Sequence, residues 1–389
     1  MHSPASAPLR GLMTVSLGPV WVVASPRLPK GQLLISTGLA CALQLQHGTS
    51  GAVRLGAGTA SGVLRVFPGR GFVLCLWPAA VNALHVPVPV RLWARKGTAG
   101  AQTVIELGPV VGILAGQYHG TYRLFLEMAR RRATLAYLFT PADVLWDGRV
   151  VLGRLRKRGR WVRRPCPFPH VVFDRSIGIG RHDEVKELLS RMSADGCAVF
   201  NGDLGDKWSM HQHLASWPEL SSHLPETALL ESWDTVRAML SRWCAVYVKP
   251  AAGFMGLGIL RIERAGQGFV RLASSTGLAG RRVSEAVAAG IVGERLANGK
   301  WLVQQALDLV RVSGSPCDVR VLALKDGCGR WRIASVIARR AGAGKIVSNL
   351  HRGDPLCPGG SWHGGFRAPG ARRRSRSTSG GWWRRSCPL

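Results

Sequence analysis

The stretch Tyr247-Val-Lys-Pro-Ala-Ala-Gly-Phe-Met-Gly-Leu-Gly-Ile259 decides how this chain is read. Gly253, Gly256 and Gly258 lie between two strand-like runs, AVYVKP and GILRIER. Glycines at that density let backbone N–H groups approach an anion closely, as a phosphate cradle requires. The order G-x-x-G-x-G differs from the dinucleotide fingerprint, and no helix pattern follows it. G-x-x-x-x-G-K-[ST] is absent from the loop, which excludes a P-loop NTPase there. What remains is a strand–glycine loop–strand flap over a polyphosphate, with Lys249 on the entering strand. A lysine inside an apolar strand costs free energy unless its charge is paired, and a phosphate would pair it. The loop by itself leaves a second reading open, a glycine-rich hairpin whose Lys249 reaches solvent.

Outward from this loop the texture is α+β. Helical patterns KWSMHQHLAS, WDTVRAMLSRW and VSEAVAAGIVGERL alternate with WLVQQALDLV and with the strands DVRVLALKD and RWRIASVIARR. Upstream, from Leu107, strands and helices alternate: LGPVVGIL, TYRLFLEMARRRA, TLAYLF, HVVFDR, DEVKELLSRMSADG, CAVFNG. That order predicts an open sheet with parallel strands. The arginine-dense 153–164 run reads as a solvated hairpin in preference to a nucleic-acid patch. Residues 1–106 consist of short Val- and Leu-rich runs between glycine turns, the pattern of a small β-rich domain. Two segments there, QLLISTGLACALQLQHGTSGAVRLGAG and FVLCLWPAAVNALHVPVPVRLWARKG, resemble each other and suggest a duplication.

Composition sets the outer limits. The 389 residues carry 52 Lys and Arg against 22 Asp and Glu, a net charge of +30. With 46% hydrophobic and 19% charged residues, this is a folded chain and not a disordered polyelectrolyte. The charge invites a nucleic-acid partner, but no recognition helix, RRM or zinc motif accompanies it, so that reading ranks last. Nine scattered cysteines form no C-x-x-C and give no support to a zinc ribbon or disulfide framework. No apolar run approaches the roughly 18 residues of a membrane helix. The N-terminal GLMTVSLGPVWVVAS has faint signal-peptide character, broken by Gly18 and Pro19, and reads as a first strand.

Several ordered segments together resemble the ATP-grasp superfamily, and within it the YheC/YheD-type endospore coat-associated family. They are PFPHVVFDR, FNGDLGDKWSMHQHL, LPETALL, YVKPAAGFMGLGILRI, WLVQQALDL, DVRVLA and RAGAGKIVSNLHRG, within a resemblance that runs from about LGPVVGIL (107–114) to SNLHRG (348–353). The resemblance implies a pre-ATP-grasp domain over 107–206 and an ATP-grasp domain over 207–352, with a lid near 225–300. It implies that ATP is bound by Lys207 and Lys249 as two phosphate-contacting lysines, under the loop of Gly253, Gly256 and Gly258. Gln304, Gln305, Ala306 and Leu307 would form the hinge whose backbone reads the adenine edge, and Asp308 would accept from a ribose hydroxyl. Asp318 and Arg320 resemble the D-x-R strand facing the transferred phosphoryl group, with Arg339 or Arg340 and Asn349 lining the same cleft. Such a site suits formation of an acyl phosphate from an unidentified carboxylate. The residues alone leave Asp318 and Arg320 equally readable as cross-strand charge partners.

The family pattern breaks at the metal. The family expects Mg²⁺ on acidic residues and an Asn of the last strands, and hard oxygen ligands are what that ion demands. After Asp318 the acids are Asp326 and Asp354, neither in an E-x-N setting, so no metal ligand is assigned. From Gly353 the sequence turns basic and low in complexity, with seven arginines and one aspartate. A damaged reading frame is the favoured explanation, and a basic interaction tail the alternative. The expected fold is therefore α/β and α+β: a small β-rich domain, then an ATP-grasp fold lacking its usual C-terminal metal-binding strands. The expected function is an ATP-binding, ligase-like protein. The alternative is a non-catalytic spore-coat scaffold, with spore coat proteins among the implied partners. Its expected location is the cytoplasm or the spore coat.

Overall fold

A chain of short apolar strands with glycine turns buries its side chains most economically by closing on itself. Residues 16–108 do so. The computed structural model describes residues 16–100, 102–116, 120–157, 159–176, 182–202, 205–253, 256–275, 280–312 and 314–341. They belong to two units, 1–203 and 204–389.

In the first unit the order is β1 (Ser16–Ala24), β2 (Gln32–Ser36), α1 (Thr37–Ala42), β3 (Ser50–Leu55), β4 (Gly58–Phe67), β5 (Val73–Leu76), α2 (Pro78–Ala83), β6 (Val90–Ala99) and β7 (Gln102–Gly108). These strands close a barrel in the order β1-β5-β2-β4-β3-β7-β6. Its interior is filled by Val20, Val22, Leu33, Ile35, Leu64, Leu74 and Leu92, all fully buried. The two similar segments fold alike. β1 runs parallel to β5 as β4 runs parallel to β2, and β1 is antiparallel to β6 as β4 is to β3. Each short helix also ends the same way: Gln44 (φ 52°) and His85 (φ 48°) occupy the left-handed region. The next residues, Leu45 and Val86, donate to the carbonyls of Ala40 and Val81.

The stretch 107–114, read from sequence as one strand, divides. Leu107 and Gly108 finish β7, and β8 (Val110–Ala115) begins after Pro109. Proline has no N–H for the ladder, so the chain changes sheets there. The remaining elements are α3 (Gly120–Arg131), β9 (Leu135–Phe139), β10 (Val144–Leu145), β11 (Val150–Lys157), β12 (Arg160–Pro167), β13 (Val171–Arg175), α4 (His182–Ala194) and β14 (Ala198–Phe200). β9, β8, β13 and β14 are parallel neighbours in that order, with β11 antiparallel to β9. β11 and β12 form the arginine-rich hairpin, where Arg163 forks onto Asp143 at 2.7 and 3.1 Å.

The second unit contains α5 (Lys207–Ala215), α6 (Pro218–Ser221), β15 (Thr227–Leu229), α7 (Trp233–Arg242), β16 (Ala245–Pro250), β17 (Leu260–Arg264), β18 (Phe269–Ser274), β19 (Arg281–Ser284), α8 (Glu285–Leu296) and β20 (Trp301–Gln305). Its sheet has the order β15-β20-β16-β17-β18-β19 and is antiparallel throughout. Alternation in β16 sends Val246 and Val248 to one face. There they pack with Leu260, Ile262, Leu272 and Val303, and with Val236 and Met239 of α7 and Val292 of α8. Tyr247 and Lys249 take the other face. Beyond the sheet, β21 (Arg311–Val312), β22 (Ser315–Lys325) and β23 (Trp331–Arg340) form a separate three-stranded sheet.

Candidate functional site

The glycine loop joins β16 to β17 as an antiparallel connection, and no helix follows it. Gly253 (φ 102°), Gly256 (φ 68°) and Gly258 (φ 74°) all occupy the left-handed region. A side chain at any of them would be strained, which accounts for the glycine spacing.

The loop is tied down at its root. Asp206 caps α5 by accepting from the Ser209 N–H at 2.8 Å and the Ser209 hydroxyl at 2.9 Å. Those donors, together with the Lys300 ammonium at 3.2 Å, hold its carboxyl down to about 2. Lys207, the next residue, extends into the loop root. Its Nζ donates to the carbonyls of Pro250 at 3.0 Å, Ala251 at 3.2 Å and Gly253 at 2.9 Å. Burial lowers its amine, with the Asp206 carboxylate acting in the opposite direction.

Lys249 projects from the sheet face. Its Nζ donates to Gln304 Oε1 at 2.5 Å, and Gln304 Nε2 donates to Thr227 Oγ1 at 2.7 Å. The register places Thr227, Gln304, Tyr247 and Arg261 in one row across four strands. Burial, and then the Lys207 charge, push the Lys249 amine down to about 8. The His211 imidazole is lowered too, by burial and then by Lys249. Burial raises the Tyr247 hydroxyl, with the Arg261 guanidinium opposing it through charge and a hydrogen bond. The face is thus electropositive, with two amines held below their ordinary range. A phosphate would relieve both desolvation and repulsion.

The expected hinge is partly committed elsewhere. Gln305 Oε1 accepts from the Glu226 N–H at 3.1 Å, and the N–H groups of Gln305 and Ala306 donate to the carbonyls of Glu226 and Ala245. Beyond these two engaged N–H groups, Leu307 and Asp308 are exposed. On the three-stranded sheet, Asp318 and Arg339 face each other in register and form a two-pronged ion pair. Arg320 lies opposite Ile337 and is exposed. The cross-strand reading of Asp318 is the one this geometry realises. Asn349 lies outside the described residues, as does the basic segment from residue 353.

Among the described residues no three His, Cys, Asp or Glu side chains converge in a manner that could hold a metal. Asp326 is occupied as a turn residue, accepting from the N–H groups of Cys328 and Arg330 and from Arg332 Nε. The donor set among the described residues does not fit Mg²⁺. Residues of the site that escaped the sequence reading include His211, Thr227, Arg261 and Glu226, and at the loop root Asp206, Ser209 and Lys300. Period-2 alternation around Tyr247 and Lys249 could have signalled Arg261. Thr227 and Glu226 enter through pairing between β15 and β20, for which the sequence carries no local signal.

Residues 196–365 match the family described as YheC/D like ATP-grasp. That match runs past residue 353, where the sequence reading has the family pattern stop. The chain is similar to the endospore coat-associated protein YheD of Bacillus subtilis, 23% identical over 269 residues, or 64% of this chain and 59% of that protein. It is also similar to YheC of the same organism, 22% identical over 259 residues, or 64% of this chain and 70% of that protein. It thus spans less than two thirds of the YheD relative. Among solved structures, a RimK domain protein ATP-grasp from Sphaerobacter thermophilus is 19% identical, covering 59% of this chain and 73% of that one at a TM-score of 0.35. The glycine hairpin, the capped lysine helix and the strand lysine all fall inside residues 196–365, the segment that matches the YheC/D like ATP-grasp family.

Proposed function

We propose that the second unit binds ATP on the Lys249 face of its six-stranded sheet, under the loop of Gly253, Gly256 and Gly258. The observation that carries this reading is geometric: Lys249 on the sheet face and Lys207 at the loop root stand at a loop whose three glycines all take left-handed backbone. A triphosphate supplies the charge that this pair of amines lacks. The Mg²⁺ that accompanies ATP in the wider family finds no fitting ligands among the described residues, and no step is assigned to it.

The linkage has a defined sign. Bound phosphate favours the charged ammonium, so binding takes up a proton wherever the free amine is partly neutral. Once the ATP γ-phosphate is fully ionised, affinity is expected to fall as pH rises through about 8. Isothermal titration calorimetry in buffers of different ionisation heat measures that uptake. Lys249→Met should weaken ATP binding by tenfold or more and abolish the pH dependence. Unchanged affinity in this variant would refute the reading.

The chemistry that fits such a domain is carboxylate activation. A carboxylate oxygen attacks the γ-phosphorus, the bond to the bridging oxygen breaks, and ADP leaves. An amine then adds to the acyl phosphate, losing a proton as inorganic phosphate departs. Arg320 and Asn349 are proposed to line the acceptor side. Hydroxylamine trapping of a hydroxamate during ATP turnover tests this step. The second reading, a nucleotide-binding scaffold without turnover, is favoured by the Asp318–Arg339 pair, which occupies the D-x-R strand internally. Spore coat proteins are proposed partners, and the cytoplasm or spore coat the proposed location. Among the described residues no helix is long and apolar enough to cross a membrane.

A further inference from the structure

The two lysines of the site are used differently. An ammonium has three N–H donors. Lys207 directs all three at backbone carbonyls, those of Pro250, Ala251 and Gly253, at 3.0, 3.2 and 2.9 Å. Its own backbone N–H donates to the Ala251 carbonyl at 3.0 Å. Ala251 in turn donates to the Lys300 carbonyl at 2.9 Å, and the Lys300 ammonium sits 3.2 Å from Asp206. Three segments far apart in sequence are knotted at the buried Ala251. Lys249, by contrast, meets one side-chain acceptor, Gln304 Oε1.

We propose that Lys207 is a positioning residue that clamps the glycine loop by its carbonyls, leaving Lys249 and the loop N–H groups to meet the phosphates. This rests on the ATP-binding reading above and departs from the equal roles expected of the two lysines. The physical reason lies in the peptide plane. In a trans peptide the C=O and the following N–H point in opposite directions. Drawing the Ala251 carbonyl onto the ammonium therefore turns the Ala252 N–H away from it. Lys207 fixes which side of the loop presents donors. For Lys207 to take a phosphate oxygen directly, it would first have to release a loop carbonyl.

Hydrogen exchange on the ligand-free full chain tests the clamp without any nucleotide. Lys207→Met keeps the side chain's length and removes its donors. Loop amides between 250 and 258 should exchange at least tenfold faster than in the wild type, whereas Lys249→Met should leave them within twofold. Calorimetry then compares ATP with adenosine. Lys207→Met should weaken ATP at least tenfold and leave adenosine within twofold, a split that general destabilisation would not produce. A third readout uses the wild type with ¹⁵N-labelled lysine: the Lys249 ammonium signal should shift on adding ATP and that of Lys207 should not. Unchanged loop exchange in Lys207→Met, or an ATP-induced shift of Lys207 as large as that of Lys249, overturns the proposal. If wild-type protein binds no ATP, the functional reading fails, and the exchange comparison still decides whether Lys207 clamps the loop.

Discussion

Two antiparallel regions of the second unit make opposite use of similar sequence. In the six-stranded sheet, one face of β16, β17, β18 and β20 is covered by α7 and α8, and Val246, Val248, Leu260, Ile262 and Val303 are wholly buried. In the β22–β23 ribbon, runs as apolar as VRVLALK and WRIASVIA pair over seven positions, yet Ile333 and Trp331 are each 69% exposed. No ribbon residue joins a core cluster among the described residues. A ladder of hydrogen bonds organises strands, but burial against a second layer supplies the stabilisation.

Paired variants test that contrast, beginning with the largest expected effect. Ile262→Ala should cost about 2–5 kcal/mol in denaturant unfolding of the full chain, since it opens a cavity in the covered sheet. A loss below about 1 kcal/mol would show that the sheet tolerates the void and would dissolve the contrast. Gly258→Ala is next. Its φ of 74° lies in the left-handed region, so an added Cβ should cost about 1–2 kcal/mol. Gly329 has φ 75° in the ribbon turn, so Gly329→Ala should carry the same backbone cost. Hydrogen exchange should confine that loss to the ribbon, while Gly258→Ala also perturbs amides of β16 and β17.

Asp206→Ala removes the α5 cap and should cost about 1 kcal/mol by thermal unfolding. The Asp206 carboxyl lies below its ordinary value, at about 2. Its contribution is therefore present above the ordinary carboxylate range and is lost as pH falls through about 2, so wild type and variant should converge in strong acid. The smallest effect belongs to Ile333→Ala, expected within about 0.5 kcal/mol of wild type because its side chain is already in water. A loss comparable to that of Ile262→Ala would show that the ribbon is covered in solution.

The helices of the second unit and the parallel strands of the first were readable because amphipathic period and strand length are local properties. The glycine loop was readable because left-handed backbone at three positions restricts residue choice to glycine. The break at Pro109 was missed because an uninterrupted apolar run conceals a change of sheet. At the site, Lys249 was visible as a charge inside an apolar strand, and Gln304 as part of the hinge that the family resemblance implies. Its bond to Lys249, and the Thr227 contact that orients it, depend on strands 55 and 77 residues apart in sequence.

The sequence by itself determined the strand–glycine loop–strand unit, the helical character of α7 and α8, and the likeness of the two barrel segments. Each follows from local periodicity or from a backbone conformation that only glycine adopts at low cost. Tertiary structure decided what the charged groups do. Lys207 holds three carbonyls, Lys249 is lowered by burial and a like charge, and Asp318 closes on Arg339. The partners and the desolvation of an ionised side chain are set by strands distant in sequence, so its role is fixed only once those strands are paired.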